Sequence, residues 1–164
     1  MDIESIYTTT DTPIGELLLT GVLSPDGLTL TSVSFEADGR GSRREATAFE
    51  LIETQLGEYF SGDRDDFEFD WAAKGTEFQE RVWAAVDNVP YGRTTSYGEL
   101  TAQMGASRAQ VRAVGAALGA NPLLIIRPCH RVIGASGALT GYAGGLERKH
   151  FLLSHEGALQ PQLG

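Results

Sequence analysis

TEFQERVWAAVDNVPYGRTTSYGELTAQMGASRAQVRAVGAALGANP occupies residues 76–122, and its reading decides the fold class of the second half of the chain. Thr76-x-x-Gln79 is a capping box: a threonine oxygen takes one free backbone N–H of a helix start, and the glutamine returns the favour. Phe78, Val82 and Val86 recur on one face behind it, at helical spacing. Asn88-Val-Pro-Tyr-Gly92 ends that helix. Ser96-x-x-Glu99 is a second capping box and opens a short helix through about Met104. Gly105 turns the chain, and Ser107 caps a longer helix to about Leu118. Asn121-Pro122 stops it, because the residue before a proline is pushed out of the α region. Two helices joined by a short glycine-containing turn fit a helix-turn-helix, although an ordinary packed helix pair gives the same pattern.

Outward toward the N-terminus the periodicity changes. SIYTTT, ELLLTGV and LTLTSVSF are rich in β-branched residues and read as strands. Thr12-Pro13-Ile14-Gly15 and Ser24-Pro25-Asp26-Gly27 supply the turns between them. A helix from about Glu45 to Phe60 follows, with Phe49, Ile52, Leu56 and Phe60 on one face. The charged stretch SGDRDDFEFD (residues 61–70) is expected to separate two subdomains. In the other direction, Leu123-Leu-Ile-Ile126 reads as a short extended apolar run, in which Arg127 would share a face with Leu123 and Ile125. A last helix spans about Leu146 to His155 and stops at Gly157. The expected fold class is α+β: a small N-terminal αβ subdomain with a short antiparallel sheet (1–70), then a mostly helical C-terminal subdomain with a helix-turn-helix (71–164).

Composition narrows the function. The chain has 164 residues, 41% of them apolar, which suits one ordinary globular domain or two small ones. No apolar run approaches the roughly 20 residues of a membrane span. MDIESIYTTT lacks the basic start and apolar core of a signal peptide, so a cytoplasmic protein with no membrane partner is expected. The net charge of −9 argues against nucleic acid only until it is divided. Up to Asp70 there are 16 acidic and four basic side chains; from Trp71 onward there are six acidic and nine basic. The second half alone has the sign needed to meet phosphates. There is one cysteine, Cys129, with three histidines, His130, His150 and His155. That supply rules out an internal disulfide and gives no closed zinc site, so no metal is expected. A single cysteine beside a histidine is either a nucleophile or a small buried hydrophobe.

NPLLIIRPCHRVIGASGALTGYAGGLERKHFLLSHEG, residues 121–157, resembles the active-site region of the O6-alkylguanine-DNA alkyltransferases, also called methylated-DNA–protein-cysteine methyltransferases. The Pro128-Cys-His-Arg-Val132 core carries the likeness. Tyr97, Arg112-Ala-Val-Gly115, Asn121-Pro122, Gly141-Tyr-Ala-Gly-Gly145 and Glu156-Gly157 lie at spacings that also fit. The likeness runs from about Gly75 to Gly157; the first half is compatible with the family's ribonuclease-H-like subdomain but carries no diagnostic motif.

The resemblance implies a reaction and its parts. An alkyl group passes from guanine O6, and more weakly from thymine O4, to the Cys129 thiol in one irreversible step, so each molecule acts once and needs no cofactor. Such an SN2 attack needs thiolate rather than thiol. His130 would take the proton through a water, with Glu156 fixing the imidazole in the manner of a triad. Tyr97 would help protonate the leaving base. Asn121, Pro128, Val132, Tyr142, Ala143 and Lys149 would line or hold the base pocket. The partner would be double-stranded DNA containing O6-alkylguanine, with the damaged base flipped out of the stack. Arg112 would take its place in the duplex, while Ala113 and Gly115 allow close approach and Ser96 and Arg108 add contacts. The protein would be monomeric, with cooperative assembly on DNA possible.

Two positions leave the family pattern: Arg127 stands where an apolar residue is usual, and Ala143 stands where some relatives carry serine. Two other readings remain open at this point. One is a regulatory module that binds alkylated DNA without repairing it. The other is a cysteine hydrolase built on Cys129 and His130.

Overall fold

The computed structural model describes residues 3–35 and 43–159. The chain divides between Ala73 and Lys74 into two compact units.

The first unit is built on a four-stranded sheet in the order β3-β2-β1-β4. Strands β1 (Glu4–Thr12), β2 (Gly15–Ser24) and β3 (Gly27–Ser34) form an antiparallel meander, and the short β4 (Arg43–Arg44) pairs parallel to β1. The predicted turns close both hairpins. Thr12 Oγ1 accepts from Ile14 N–H and donates to the Gly15 carbonyl, and Gly15 and Gly27 adopt φ of 123° and 120°, where a side chain is strained. Alternation places Ile6, Leu17 and Leu19 in the core, and a register shift between Thr20 and Gly21 lets Leu30 and Val33, three apart on β3, join them.

The expected helix over Glu45–Phe60 begins as a 3-10 turn (Ala46–Phe49) and becomes α-helical as α1 (Glu50–Phe60). Its buried face is Phe49, Ile52, Leu56 and Tyr59, so Tyr59 takes the core place expected of Phe60. The reason is geometric: three residues on from Leu56 continues the stripe, and four drifts to its edge. Residues 61–70 are tied down rather than loose. The Gln55 amide donates to the Glu68 carbonyl and accepts from its N–H, while Tyr59, Phe67 and Phe69 stack in sequence. The chain then runs along the free edge of β3, where Leu30 N–H bonds Asp70 O and Ala72 N–H bonds Leu30 O.

The second unit is mostly helical: α2 (Glu77–Val86), α3 (Tyr97–Gln103), α4 (Val111–Gly119) and α5 (Leu146–His155). The Thr76/Gln79 capping box forms in both directions. At Ser96 only half of the expected box forms: its Oγ accepts from Glu99 N–H, but the Glu99 carboxylate accepts from the Ser96 hydroxyl instead of from the Ser96 backbone N–H. Ser107 and Gln110 make a full box around a 3-10 turn, Arg108–Gln110, from which α4 continues. In α2 the buried face is Val82, Trp83 and Val86, with Phe78 only half-buried. Trp83 donates its indole N–H to the Ala117 carbonyl, 2.8 Å away, which locks α2 to α4. A pairing that periodicity did not suggest joins β5 (Thr95–Ser96) parallel to β6 (Val132–Ile133). It sets the start of α3 beside the segment that carries the only cysteine.

Candidate active site

The site lies wholly within the second unit, and its foundation is a turn rather than the extended run expected over Leu123–Ile126. The Asn121 side chain holds Leu123 at both ends: Nδ2 donates to the Leu123 carbonyl, and Oδ1 accepts from Leu123 N–H at 3.0 Å. Ile126 N–H bonds Leu124 O, and Arg127 N–H bonds Leu123 O. Ile125 sits at φ 72°, a left-handed conformation that costs a β-branched residue on the order of 1–3 kcal/mol. All four apolar side chains are buried, which an extended segment exposing alternate residues does not achieve. Burial therefore outweighs the backbone strain. Cys129 N–H closes the turn on the Arg127 carbonyl, and Cys129–Arg131 forms one 3-10 turn leading into β6.

Behind the cysteine, His130 is fully buried and its Nε2 lies 2.8 Å from Glu156 Oε2. A carboxylate only accepts, so Nε2 carries the proton and Nδ1 is left as the basic nitrogen; Nδ1 has no partner among the described residues. Burial lowers the His130 pKa, against the upward pull of Glu156, and keeps the ring neutral. Desolvation pushes the Glu156 carboxyl up, but hydrogen bonds from His130 and Arg131 outweigh it and hold the pKa at about 2. Arg131 grips both carboxylate oxygens, at 2.7 and 3.1 Å, and reaches the Val89 carbonyl at 2.7 Å. Glu156 is presented from the end of α5, whose last turn closes with Gly157 N–H on Ser154 O and Ala158 N–H on Leu153 O around a left-handed Gly157 (φ 73°).

Cys129 lines a cavity of about 450 Å³ with Tyr97, Gly115, Leu118, Gly119, Thr140, Gly141, Tyr142 and Ala143. Burial pushes its thiol up to about 12, opposed by the positive charges of Arg127 and Lys149 and by a hydrogen bond from Asn121, and aided by Asp87. The resting group is a protonated thiol, so a nearby base must take its proton when it reacts. Above the cavity, Tyr97 donates its hydroxyl proton to Thr140 O at 2.8 Å. Lys149, fully buried, donates from one ammonium to three carbonyls: Val132 at 2.5 Å, Thr140 at 2.6 Å and Gly141 at 3.2 Å. Desolvation brings its pKa down to about 8.

The sequence-derived residues thus fall into three groups. Cys129, Tyr97, Gly115, Tyr142 and Ala143 face one cavity. His130, Glu156, Asn121, Pro128, Val132 and Lys149 are buried behind or around it without lining it. Arg112 and Ala113 are exposed on α4, Ser96 caps α3, and Arg108 lines a separate cavity with Gly98, Thr101, Ala102, Ala106 and Val111. Asp87 and Thr140 were not singled out from the sequence, and Arg131 was read only as a candidate phosphate or structural contact, not as the partner of Glu156. Arg131 had a signal, since an arginine next to a buried histidine needs a carboxylate that the histidine can share. Asp87 and Thr140 had none, because their partners are distant in sequence.

Residues 77–158 match the family described as 6-O-methylguanine DNA methyltransferase, DNA binding domain, and residues 5–72 match its ribonuclease-like domain. A methylated-DNA–protein-cysteine methyltransferase of Mycolicibacterium paratuberculosis is 48% identical over 153 residues, covering 92% of this chain and 91% of the relative. The constitutive enzyme of that name from Bacillus subtilis is 42% identical over 158 residues, covering 92% and 94%. The crystal structure of a Mycobacterium tuberculosis O6-methylguanine methyltransferase superposes with a TM-score of 0.85 at 44% identity, covering 96% of this chain and 95% of that one. The same organism's OGT in complex with DNA gives 0.84 at 44% identity, covering 93% of each chain.

Proposed function

The chain belongs to the 6-O-methylguanine DNA methyltransferase family, and on that premise we propose that it repairs DNA by moving an alkyl group from guanine O6 to Cys129 Sγ. The observation that carries the assignment is the chain's only cysteine facing a cavity with a neutral, carboxylate-anchored histidine next to it, whose free nitrogen is basic.

The atoms balance simply. The thiol proton passes through one water to His130 Nδ1, and the thiolate attacks the alkyl carbon. The carbon–O6 bond breaks as the sulfur–carbon bond forms, and the guanine leaves with a proton in exchange. Glu156, already ionised, stabilises the imidazolium formed in transit without taking the proton itself. Because the thiol is unreactive at rest, the reaction waits for a substrate in the cavity. The product is a thioether with no route to hydrolysis, so each molecule turns over once. Thymine O4 is a poorer substrate of the same chemistry.

Tyr97 stands at the cavity mouth with its hydroxyl on the Thr140 carbonyl, and a proton shared there is available to the leaving base. Tyr142 and Ala143 form the wall against the base, while Asn121, Pro128, Val132 and Lys149 keep the cysteine turn and the 140–141 loop in place. Helices α3 and α4 form a helix-turn-helix whose second member carries Arg112 and the small residues Ala113 and Gly115. With Ser96 and Arg108, this face of residues 71–164 meets the duplex, and the base reaches Cys129 extrahelically. The work is done by monomers in the cytoplasm, without metal or cofactor.

The test is to incubate the protein with duplex DNA containing O6-methylguanine and weigh it intact. One methyl replacing one proton adds about 14 Da, once, on the peptide containing Cys129. Cys129→Ser is expected to gain nothing while still binding the duplex. Repeated turnover, or uptake by the serine variant, overturns the assignment.

A further inference from the structure

Arg127 is one of the two positions where this chain leaves the family pattern, and it is buried within the turn that carries the thiol. Only 7% of its side chain is exposed. Its Nε donates to Asp87 Oδ1 at 3.1 Å, its Nη1 reaches Asn121 Oδ1 at 3.4 Å, and its guanidinium lies 4.9 Å over the Trp83 ring. Its own carbonyl accepts from Cys129 N–H at 2.8 Å. An arginine placed here for solubility would reach water. This one is instead desolvated, held in one orientation from three sides, and coupled to the Asn121 amide that shapes the turn. Asp87 follows the last residue of α2 and is itself only 30% exposed.

We propose that the Asp87–Arg127 pair is a positioning device for the reactive cysteine: it fixes the Asn121 amide against the turn and sets a permanent positive charge beside the thiol. This rests on the reading of Cys129 as the alkyl acceptor. It extends that reading, because His130 and Glu156 handle the proton once it leaves, whereas Arg127 governs how readily it leaves. The charged and titratable groups acting on the thiol come from every side of it. Arg127 and Lys149 favour thiolate, as does the Asn121 hydrogen bond, while Asp87 opposes it. The two members of the pair therefore act on the sulfur with opposite sign, and the guanidinium prevails over the carboxylate.

Opposite signs make the device testable. Cys129 is the only thiol, so iodoacetamide alkylation followed by intact mass reports this one sulfur without calling on repair activity. Rates are measured from pH 7 to 10 for wild type, Arg127→Met, Arg127→Lys and Asp87→Asn, with thermal melts to confirm folding. Arg127→Met is expected to slow alkylation severalfold across the range, because loss of the guanidinium charge leaves less thiolate, an effect only partly offset by that thiolate's greater nucleophilicity. Arg127→Lys is expected to recover most of that loss, since it restores the charge. Asp87→Asn is expected to react severalfold faster than wild type. A merely structural pair predicts faster alkylation in both single-site losses, because a loosened turn exposes the buried thiol, and that outcome, or unchanged rates throughout, overturns the proposal. If Arg127→Met does not fold, Arg127→Gln takes its place: slowing supports the inference, and acceleration or an unchanged rate overturns it. A wild-type protein that alkylates normally here but takes no methyl from DNA separates failure of the repair assignment from failure of this one.

Discussion

At Glu156 a single carboxylate accepts from His130 at 2.8 Å and from Arg131 at 2.7 and 3.1 Å, all out of water. Neutralising it leaves a buried guanidinium without a counter-charge, a loss of about 3–5 kcal/mol when one partner of a buried pair is removed. It also frees the imidazole to rotate or change tautomer, and removes the charge that stabilises the imidazolium. Glu156→Gln is therefore expected to lose stability by that amount and to slow methyl transfer by about 100-fold or more, the range in which a positioned base acts. Single-turnover kinetics on methylated duplex, run beside a chemical melt, check both. Transfer at the wild-type rate in a folded variant would remove Glu156 from the proton path. At this scale the sequence was informative where chemistry requires adjacency. Cys129 and His130 are neighbours in the chain, and the family pattern pointed to Glu156. It was uninformative where chemistry requires reach. Arg127 to Asp87 spans 40 positions and Arg131 to Val89 spans 42, and no local pattern encodes either contact.

Among the elements, α4 carries the clearest division of labour. Val114, Ala117 and Leu118 face the core, Gly115 lines the cavity, and Arg112 and Ala113 are exposed. Arg112 is thus exposed and does not line the Cys129 cavity, as the proposed contact with DNA requires. Arg112→Ala is expected to slow repair in duplex DNA by 10-fold or more, reflecting a flipping cost of a few kcal/mol, and to leave the reaction with free O6-benzylguanine within about twofold. Equal slowing on both substrates would assign Arg112 to the fold or to the chemistry. The helices themselves were readable because capping boxes and apolar spacing are local signals: the Thr76 box formed in full, and Ser96 and Ser107 start their helices as expected. The Leu123–Ile126 turn was not readable. Four apolar residues in a row read as an extended strand by pattern, and only the Asn121 amide and the core around it favour a left-handed isoleucine instead. In α1 and α2 the large aromatics Tyr59 and Trp83 displaced Phe60 and Phe78 from the buried stripe. Each is nearly fully buried, and each has a polar end that the spacing rule ignores.

For the molecule as a whole, the buried groups set the response to acid. His130 is held below its ordinary value, so the unfolded chain binds its proton first. The stability it contributes is complete above about pH 6.5 and is lost as pH falls below that. Glu156 is held at about 2 against an ordinary 4.5, so its contribution is complete above 4.5 and drains away toward 2. The His130 loss begins first and the Glu156 loss joins it below about 4.5, so the melting temperature is expected to start falling below pH 6.5 and to fall more steeply below 4.5. His130→Asn is expected to make the decline shallower between about 6.5 and 4.5. A melting temperature level from pH 7 to pH 4 in the wild type would contradict this account.

The ammonium of Lys149 gathers the carbonyls of Val132, Thr140 and Gly141 in the way a bound alkali or alkaline-earth ion organises a loop. Because this cation is covalently part of the chain, it cannot be diluted out, exchanged or chelated. The shape of the cavity rim is therefore independent of the ionic makeup of the medium. What the arrangement exchanges for that independence is sensitivity to alkali: with the Lys149 pKa near 8, hydroxide is the one common solute able to unload the cation from its three oxygens.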